Sequence, residues 1–287
     1  MRLVTYRSDG QARVAGLRQG AYVDLKGADP AVPVSIRELL AQGPVGLERA
    51  ARALATGPSI EMEASVLLPP IPDPRKVICV GANYADHARE SGMRPPSEPV
   101  IFNKFPTTIR KDGDPIVLPR ASRQVDYEAE LVVVMGRGGR RIAESEAMSH
   151  VAGYLCSNDV SARDWQKGKP AGQWLLGKSF DSFAPIGPWL VTADEVPDPG
   201  NLRIRLRLNG RLMQDSNTSQ LIFPIPRLIA YVSEVCTLEP GDLLFTGTPA
   251  GVGMARKPPV YLKPGDVVEV EIDRLGVLRN PVIADSD

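Results

Sequence analysis

The stretch that decides how this chain is read is Val125-Asp126-Tyr127-Glu128-Ala129-Glu130-Leu131-Val132-Val133-Val134-Met135. It opens as an acidic alternation and closes as an unbroken, largely β-branched apolar run. The second half predicts a strand buried on both faces. Successive strand side chains point to opposite faces, so Asp126, Glu128 and Glu130 share one face, each about 7 Å from the next. Carboxylates so placed repel one another unless a cation lies between them, and no Lys or Arg interrupts the run. A generic acidic alternation is a solvated strand face. A doubly buried strand that opens into clustered carboxylates instead predicts the mouth of a metal site. All-oxygen ligands select hard cations: Mg²⁺, Ca²⁺ or Mn²⁺.

Working outward, strand signals dominate the chain beyond residue 75. Lys76 to Val80 predicts a short buried strand. Leu202 to Leu208 alternates strictly and runs into Asn209-Gly210, a strong hairpin signal. Val268 to Ile272 alternates as well. The best helical patterns in this part are Ala143 to Gly153 and Ile225 to Cys236. Gly 26 and Pro 27 make up about 18% of the 287 residues, against a usual ~12%, which suits a turn-rich β chain. Four prolines between Pro69 and Pro74 mark a stiff seam. They predict a small N-terminal domain over 1–66, a Pro-rich linker over 67–75 and a catalytic domain over 76–287. In the first of these, Ser35 caps a helix bearing Ile36, Leu39 and Leu40, and Leu47, Ala50, Ala51 and Leu54 mark a second.

Composition narrows the function classes. Lys+Arg and Asp+Glu each number 34, so the net charge is +0 and no global basic field holds nucleic acid or an anionic membrane. No apolar run approaches the ~20 residues of a membrane span, and the N-terminus lacks a signal-peptide core. Cys79, Cys156 and Cys236 are odd in number and far apart, which fits neither a disulfide framework nor a zinc site. A cytoplasmic location is expected.

Two further segments carry chemistry. In Asn158 to Gln166, a helix would put Asp159, Arg163 and Gln166 on one face: an acid, a planar cation and an amide. The alternative is a capping Asp with a surface ion pair. His87 follows a buried strand and has Glu90 at i+3, a spacing that lets the two meet. A His oriented by a carboxylate is a general-base arrangement, and Ser91-Gly92-Met93-Arg94-Pro95-Pro96-Ser97 after it predicts a lid. A surface His–Glu pair is the alternative. His150 reads as structural. Gly172-Gln173-Trp174-Leu175-Leu176-Gly177-Lys178-Ser179 matches the phosphate-loop pattern by letter, but no buried strand precedes it and Pro185 and Pro188 oppose a helix after it. We reject it as a nucleotide site and keep Lys178 as a single cation. Thr246-Gly247-Thr248-Pro249-Ala250-Gly251-Val252-Gly253 reads as a tight loop.

In this order, Gly81–His87, Asp126–Leu131, Asn158–Asp164, Gly177–Asp181 and Thr246–Gly253 resemble the fumarylacetoacetate hydrolase family, in its shorter form with a His-x-x-Glu lid. The resemblance covers 76 to about 280. It implies a mainly β, α+β fold with short helices and a mixed β-roll, a homodimer, and one Mg²⁺ or Mn²⁺ per subunit. By position, Glu128, Glu130 and Asp159 would ligate the metal, with Asp126 behind them. Lys104, Arg163, Gln166, Lys178 and Thr248 would line the substrate site, and His87 and Glu90 would form the lid dyad. The implied activity is hydrolysis of a C–C bond in 2,4-dioxo acids through a metal-stabilised enolate. Gln166 and Lys178 would meet the oxyanion. Decarboxylation of an oxaloacetate-like acid or isomerisation of a 2-oxo acid would use the same ligands. A catalytically idle scaffold is the reading from another class.

Overall fold

The computed structural model describes residues 1–90, 92 and 94–286. Among them the strands fall into three sheets. The largest has twelve strands, and its centre is the segment quoted above. Ala129–Met135 pairs antiparallel with Val151–Asn158 on one side and with Leu243–Phe245 on the other. Leu243–Phe245 in turn pairs parallel with Val77–Gly81, and Val100–Lys104 closes that end. At the other end Val151–Asn158 meets Ala184–Thr192, which pairs with Arg2–Ser8 and so with the N-terminal hairpins. The sheet thus runs through Arg2↔Val191 and Leu3↔Leu190. Leu67–Leu68, just ahead of the prolines, pairs with Thr5 and Tyr6.

All seven residues of Ala129–Met135 are buried, and the reason is two cores. Leu131, Val133 and Met135 pack with Ile204, Leu206, Val268 and Val270 of the five-stranded second sheet. Val132 and Val134 pack with Leu3, Val14, Leu39 and Leu40 of the N-terminal unit. A strand covered on both sides has no solvent face to alternate toward. The second sheet contains the predicted hairpin: Arg203–Leu208 pairs with Arg211–Asn217, and the turn has φ 52° at Asn209 and 78° at Gly210. Two positive φ values are what a two-residue hairpin of the right twist requires.

Ile225–Val235 is a helix whose Ile225, Leu228, Ile229 and Val232 are buried at helical spacing. Ser35 caps Ile36–Ala41 by accepting from the Glu38 N–H. The expectation of a helix over Ala143 to Gly153 is corrected. Glu144–His150 forms a 3₁₀ helix, and the chain is already a strand from Val151. A Cβ at Gly153 would meet the Val191 carbonyl oxygen at 2.0 Å, so close backbone pairing there overrides the local pattern. His150 is structural, its Nδ1 3.0 Å from the Arg137 carbonyl. No helix is long and apolar enough to cross a membrane.

Candidate metal centre and active site

The acidic segment leaves the sheet at its mouth. Val125–Asp126 pairs with Ser161–Ala162 in a two-stranded ribbon, and Ala129 begins the long strand. The turn after Val151–Asn158 folds back on this segment: Glu128 N–H donates to Asn158 Oδ1, and Asp159 N–H to the Glu128 carbonyl. Glu128, Glu130 and Asp159 therefore converge. They are all buried, and each offers a carboxylate oxygen within 4.8 Å of the others.

The cations missing from the acidic run arrive from elsewhere in the chain. Arg163 donates from Nε to Asp126 Oδ2 at 2.9 Å, from Nη2 to Glu128 Oε1 at 2.6 Å, and from Nη1 to Gln166 Oε1 at 2.9 Å. Lys178 Nζ reaches Glu128 Oε2 at 2.8 Å, Asp159 Oδ2 at 2.6 Å and Ser161 Oγ at 2.8 Å. Lys104 Nζ donates to Asp159 Oδ1 at 2.5 Å and to the Val160 carbonyl. The expected helix carrying Asp159, Arg163 and Gln166 together is corrected. Only Arg163–Gln166 is helical, and Asp159 stands before the Ser161–Ala162 strand. The three meet because a strand end and a single helical turn fold against one another.

The Gly-rich loop after Leu243–Phe245 anchors acids with its backbone. Gly247 N–H donates to Glu130 Oε2 at 2.8 Å and Gly251 N–H to both Glu90 oxygens at 3.0 Å. Gly253 N–H and Met254 N–H donate to Asp126 at 2.7 and 3.0 Å. Gly247 and Gly251 sit at φ 101° and 104°, a region that glycine enters freely. Asn83 ties this loop to the helix Ala85–Glu90 by donating to the Thr246 carbonyl. On that helix His87 Nδ1 lies 3.4 Å from Glu90 Oε2, a loose contact that makes no hydrogen bond. The expected lid over Ser91–Ser97 includes Ser91 and Met93, which lie outside the described residues.

Four carboxylates against three cations leave one buried negative charge over. Among the described residues no cation pairs with Glu130, whereas Asp126, Glu128 and Asp159 each have one or more. The electrostatics follow. Burial alone would raise Glu128, but Lys178 and Arg163 outweigh it and hold its carboxyl at about 2. Burial, with the Asp159 and Glu128 charges added, pushes Glu130 well above the usual carboxylate range. Burial pulls Lys104 below the usual lysine value, and Lys178 adds to this, despite Asp159. A divalent cation among Glu128, Glu130 and Asp159 would supply the missing positive charge, and three oxygen donors suit a hard ion. The residues present fit such an ion.

One cavity of about 100 Å³ joins these groups: Glu128, Glu130, His87, Arg163, Gln166, Lys178 and Thr248 line it. Thr248 Oγ1 accepts from Gln214. Lys104 and Glu90 stand behind the wall and act on Asp159 and His87. Sequence reasoning missed the aromatic side of the cavity, Phe102 and Trp174, which pack edge to face at 5.5 Å. It also missed Lys167 and Met254. Trp174 falls inside the rejected phosphate-loop match, where Trp174–Lys178 is a short helix with no strand before it. Gly81 is the partner of Trp174, since a Cβ there would lie 2.5 Å from the indole.

Comparison with known proteins agrees with this geometry. The model of the fumarylacetoacetate (FAA) hydrolase C-terminal family matches residues 76–283. The chain is 50% identical to the oxaloacetate tautomerase fahd2, mitochondrial, of Xenopus laevis over 288 residues, 99% of this chain and 90% of that one. The fumarylacetoacetate hydrolase of psychrophilic Exiguobacterium antarcticum superposes with a TM-score of 0.86 at 38% identity, covering 99% of this chain and 100% of that one. The maleylpyruvate hydrolase of Sphingobium sp. SYK-6, solved with manganese(II) and pyruvate, superposes at 0.82 and 32% identity over 100% of both. The mitochondrial designation of the Xenopus relative corrects the expectation of a cytoplasmic location. Unpaired thiols by themselves name no compartment.

Proposed function

The chain belongs to the fumarylacetoacetate (FAA) hydrolase C-terminal family, and on that footing we propose that it interconverts the keto and enol forms of a small 2-oxo acid of the oxaloacetate class. Glu128, Glu130 and Asp159 hold Mg²⁺ or Mn²⁺ in this reading. The observation that carries it is the buried carboxylate trio, of which Glu128 and Glu130 line one cavity with His87 and Asp159 lies against both. The 50% identity to an oxaloacetate tautomerase supports this isomerase alternative better than the hydrolysis of 2,4-dioxo acids expected first from the sequence. The cavity, about 100 Å³, also suits a substrate well below the drug-sized range of roughly 300 Å³ and above.

A divalent ion bound there supplies Lewis-acid polarisation of the 2-oxo carbonyl. The chain's own residues do the rest. Lys178 and Arg163 hold the carboxylates in place, which keeps the site's charges fixed as the enolate gains its own. Lys104 holds Asp159, and Thr248 closes the wall beside them. His87, backed by Glu90, handles the proton at C3. In the ketonising direction its protonated ring delivers a proton to C3 while the enol hydroxyl releases its own to water, and the reverse direction exchanges these roles. Phe102 and Trp174 exclude bulk water from the enolate. The assembly proposed with this reading is a homodimer.

The decay of enol-oxaloacetate absorbance tests the reading, followed with Mg²⁺ or Mn²⁺ and again with excess EDTA. An acceleration over buffer that EDTA abolishes is expected. A decay equal to the buffer's would overturn the proposal. Pyruvate formed in step with the decay would move the assignment to decarboxylation. The hydrolase neighbour makes acetylpyruvate, with acetate as product, the control for C–C hydrolysis.

A further inference from the structure

The cations around the cavity are nearly all engaged. The guanidinium of Arg163 is bonded at Nε, Nη1 and Nη2, and Lys178 uses its three donors on Glu128, Asp159 and Ser161. Lys104 is held by Asp159 and Val160. Arg256 donates to the backbone carbonyls of Met213 and Gly251. Lys167 lines the same cavity, yet its ammonium has no hydrogen bond or ion pair among the described residues. The backbone of Lys167 is fixed, because its N–H closes the single helical turn onto the Arg163 carbonyl at 2.9 Å. Its neighbour Gln166 commits Oε1 to Arg163, and the Gln166 Nε2 amide hydrogens are also unused among the described residues. Two adjacent side chains therefore offer donors to the cavity without an acceptor among these residues.

We propose that Lys167, with the Gln166 amide beside it, binds the distal carboxylate of a dicarboxylic 2-oxo acid and so sets the preference for dicarboxylates over monocarboxylates. The inference rests on the 2-oxo acid reading of the site and deepens it. The carboxylate trio is negative and repels a substrate's second charge, so a dicarboxylate needs a cation that the acids have not already taken. Lys167 is exposed as a whole, but partial desolvation, with Arg163 nearby, lowers its ammonium below the ordinary lysine value, a charge cost that a bound anion relieves. The other lysine of this segment, Lys169, lies over the Trp165 ring at 4.7 Å, so it does not duplicate the role.

Binding of L-malate and of L-lactate to the Mn²⁺-loaded protein tests this. The two acids share a 2-hydroxy acid end, differ by one distal carboxylate, and cannot enolise. Calorimetry on wild type, Lys167→Met and Lys167→Arg should show wild type preferring malate. Lys167→Met should lose malate affinity by about 10- to 100-fold, the loss of one charged hydrogen bond, with lactate unchanged. Lys167→Arg should recover most of the preference. Equal losses for both acids in Lys167→Met, an unchanged malate preference, or a wild type that prefers neither would each overturn the inference. A malate preference carried by Lys167 in a protein that does not speed ketonisation would sink the tautomerase reading and leave this one standing.

Discussion

Lys178 Nζ lies 2.6 Å from Asp159 Oδ2, with both side chains buried, and the same ammonium reaches Glu128 at 2.8 Å. One lysine thus separates two acids of the cluster that Glu130 completes. The pairing decides how the site behaves when its charges are altered.

Lys178→Met leaves Glu128 and Asp159 short of a counter-charge. Breaking a buried pair by removing one partner costs about 3–5 kcal/mol. Urea unfolding in EDTA should show a loss of that order, and excess Mn²⁺ should recover part of it. A loss under about 1 kcal/mol would mean the pair merely offsets its own desolvation.

Glu130→Gln keeps the shape and removes the one carboxylate that no cation pairs with among the described residues. The variant should be at least as stable as wild type without metal. It should also lose the Mn²⁺-dependent rise in Tm, which in wild type corresponds to about 2.7 kcal/mol at a hundredfold excess over Kd. A melting shift that survives in the variant would remove Glu130 from the ligand set.

His87→Gln should lower kcat by roughly 10²–10⁴, the usual contribution of a positioned acid or base. Glu90→Gln should lower it less, because Glu90 acts through His87. Wild-type turnover in Glu90→Gln would mean that the 3.4 Å contact has no part in proton transfer.

Glu90 also predicts a pH dependence. Burial raises it, but His87 and the Gly251 N–H outweigh burial and hold it below the usual value. A depressed carboxyl stabilises the fold fully above its unfolded value, roughly 4.3, and loses that stabilisation as pH falls through the lower folded value. The stability difference between wild type and Glu90→Gln should therefore be flat above about pH 5 and shrink below about pH 4.3. A difference that grows on acidification would contradict the assigned environment.

Gly81→Ala places a methyl 2.5 Å from the Trp174 ring as it stands, so the indole must move. Displacing a wall of the cavity by about 1 Å can cost about a hundredfold in rate. Catalytic efficiency should therefore drop by roughly one to two orders of magnitude, with only a modest change in stability. Unchanged efficiency would show that Trp174 does not shape the bound substrate.

Much of the site was legible in one dimension. The acidic run gave way to a doubly buried strand as its pattern required, and the Asn209-Gly210 turn and the Ile225–Val235 helix followed their local signals. The failures have physical causes. Apolar residues from Ala143 to Gly153 fit a helix until the pairing of Gly153 with Thr192 is known. Asp159 and Arg163 meet without the helix that their spacing suggested. Phe102, Trp174 and Lys167 carry no local signal, because an aromatic beside apolar neighbours reads as core and a lysine in a polar segment reads as surface.

What the sequence determined by itself was the set of chemical groups: three acids able to offer oxygens to a cation, a His with a Glu three residues on, and cations separated from the acids along the chain. Those depend on residue identity and short spacing, which a linear text records. The tertiary structure alone decided which charge cancels which. Arg163 is 35 residues from Glu128, Lys178 is 50, and Gly247 is 117 from Glu130. Charges interact across a few ångströms of low-dielectric interior whatever their separation in sequence. Among the described residues, folding therefore left Glu130 without a paired cation and Lys167 without a paired acid.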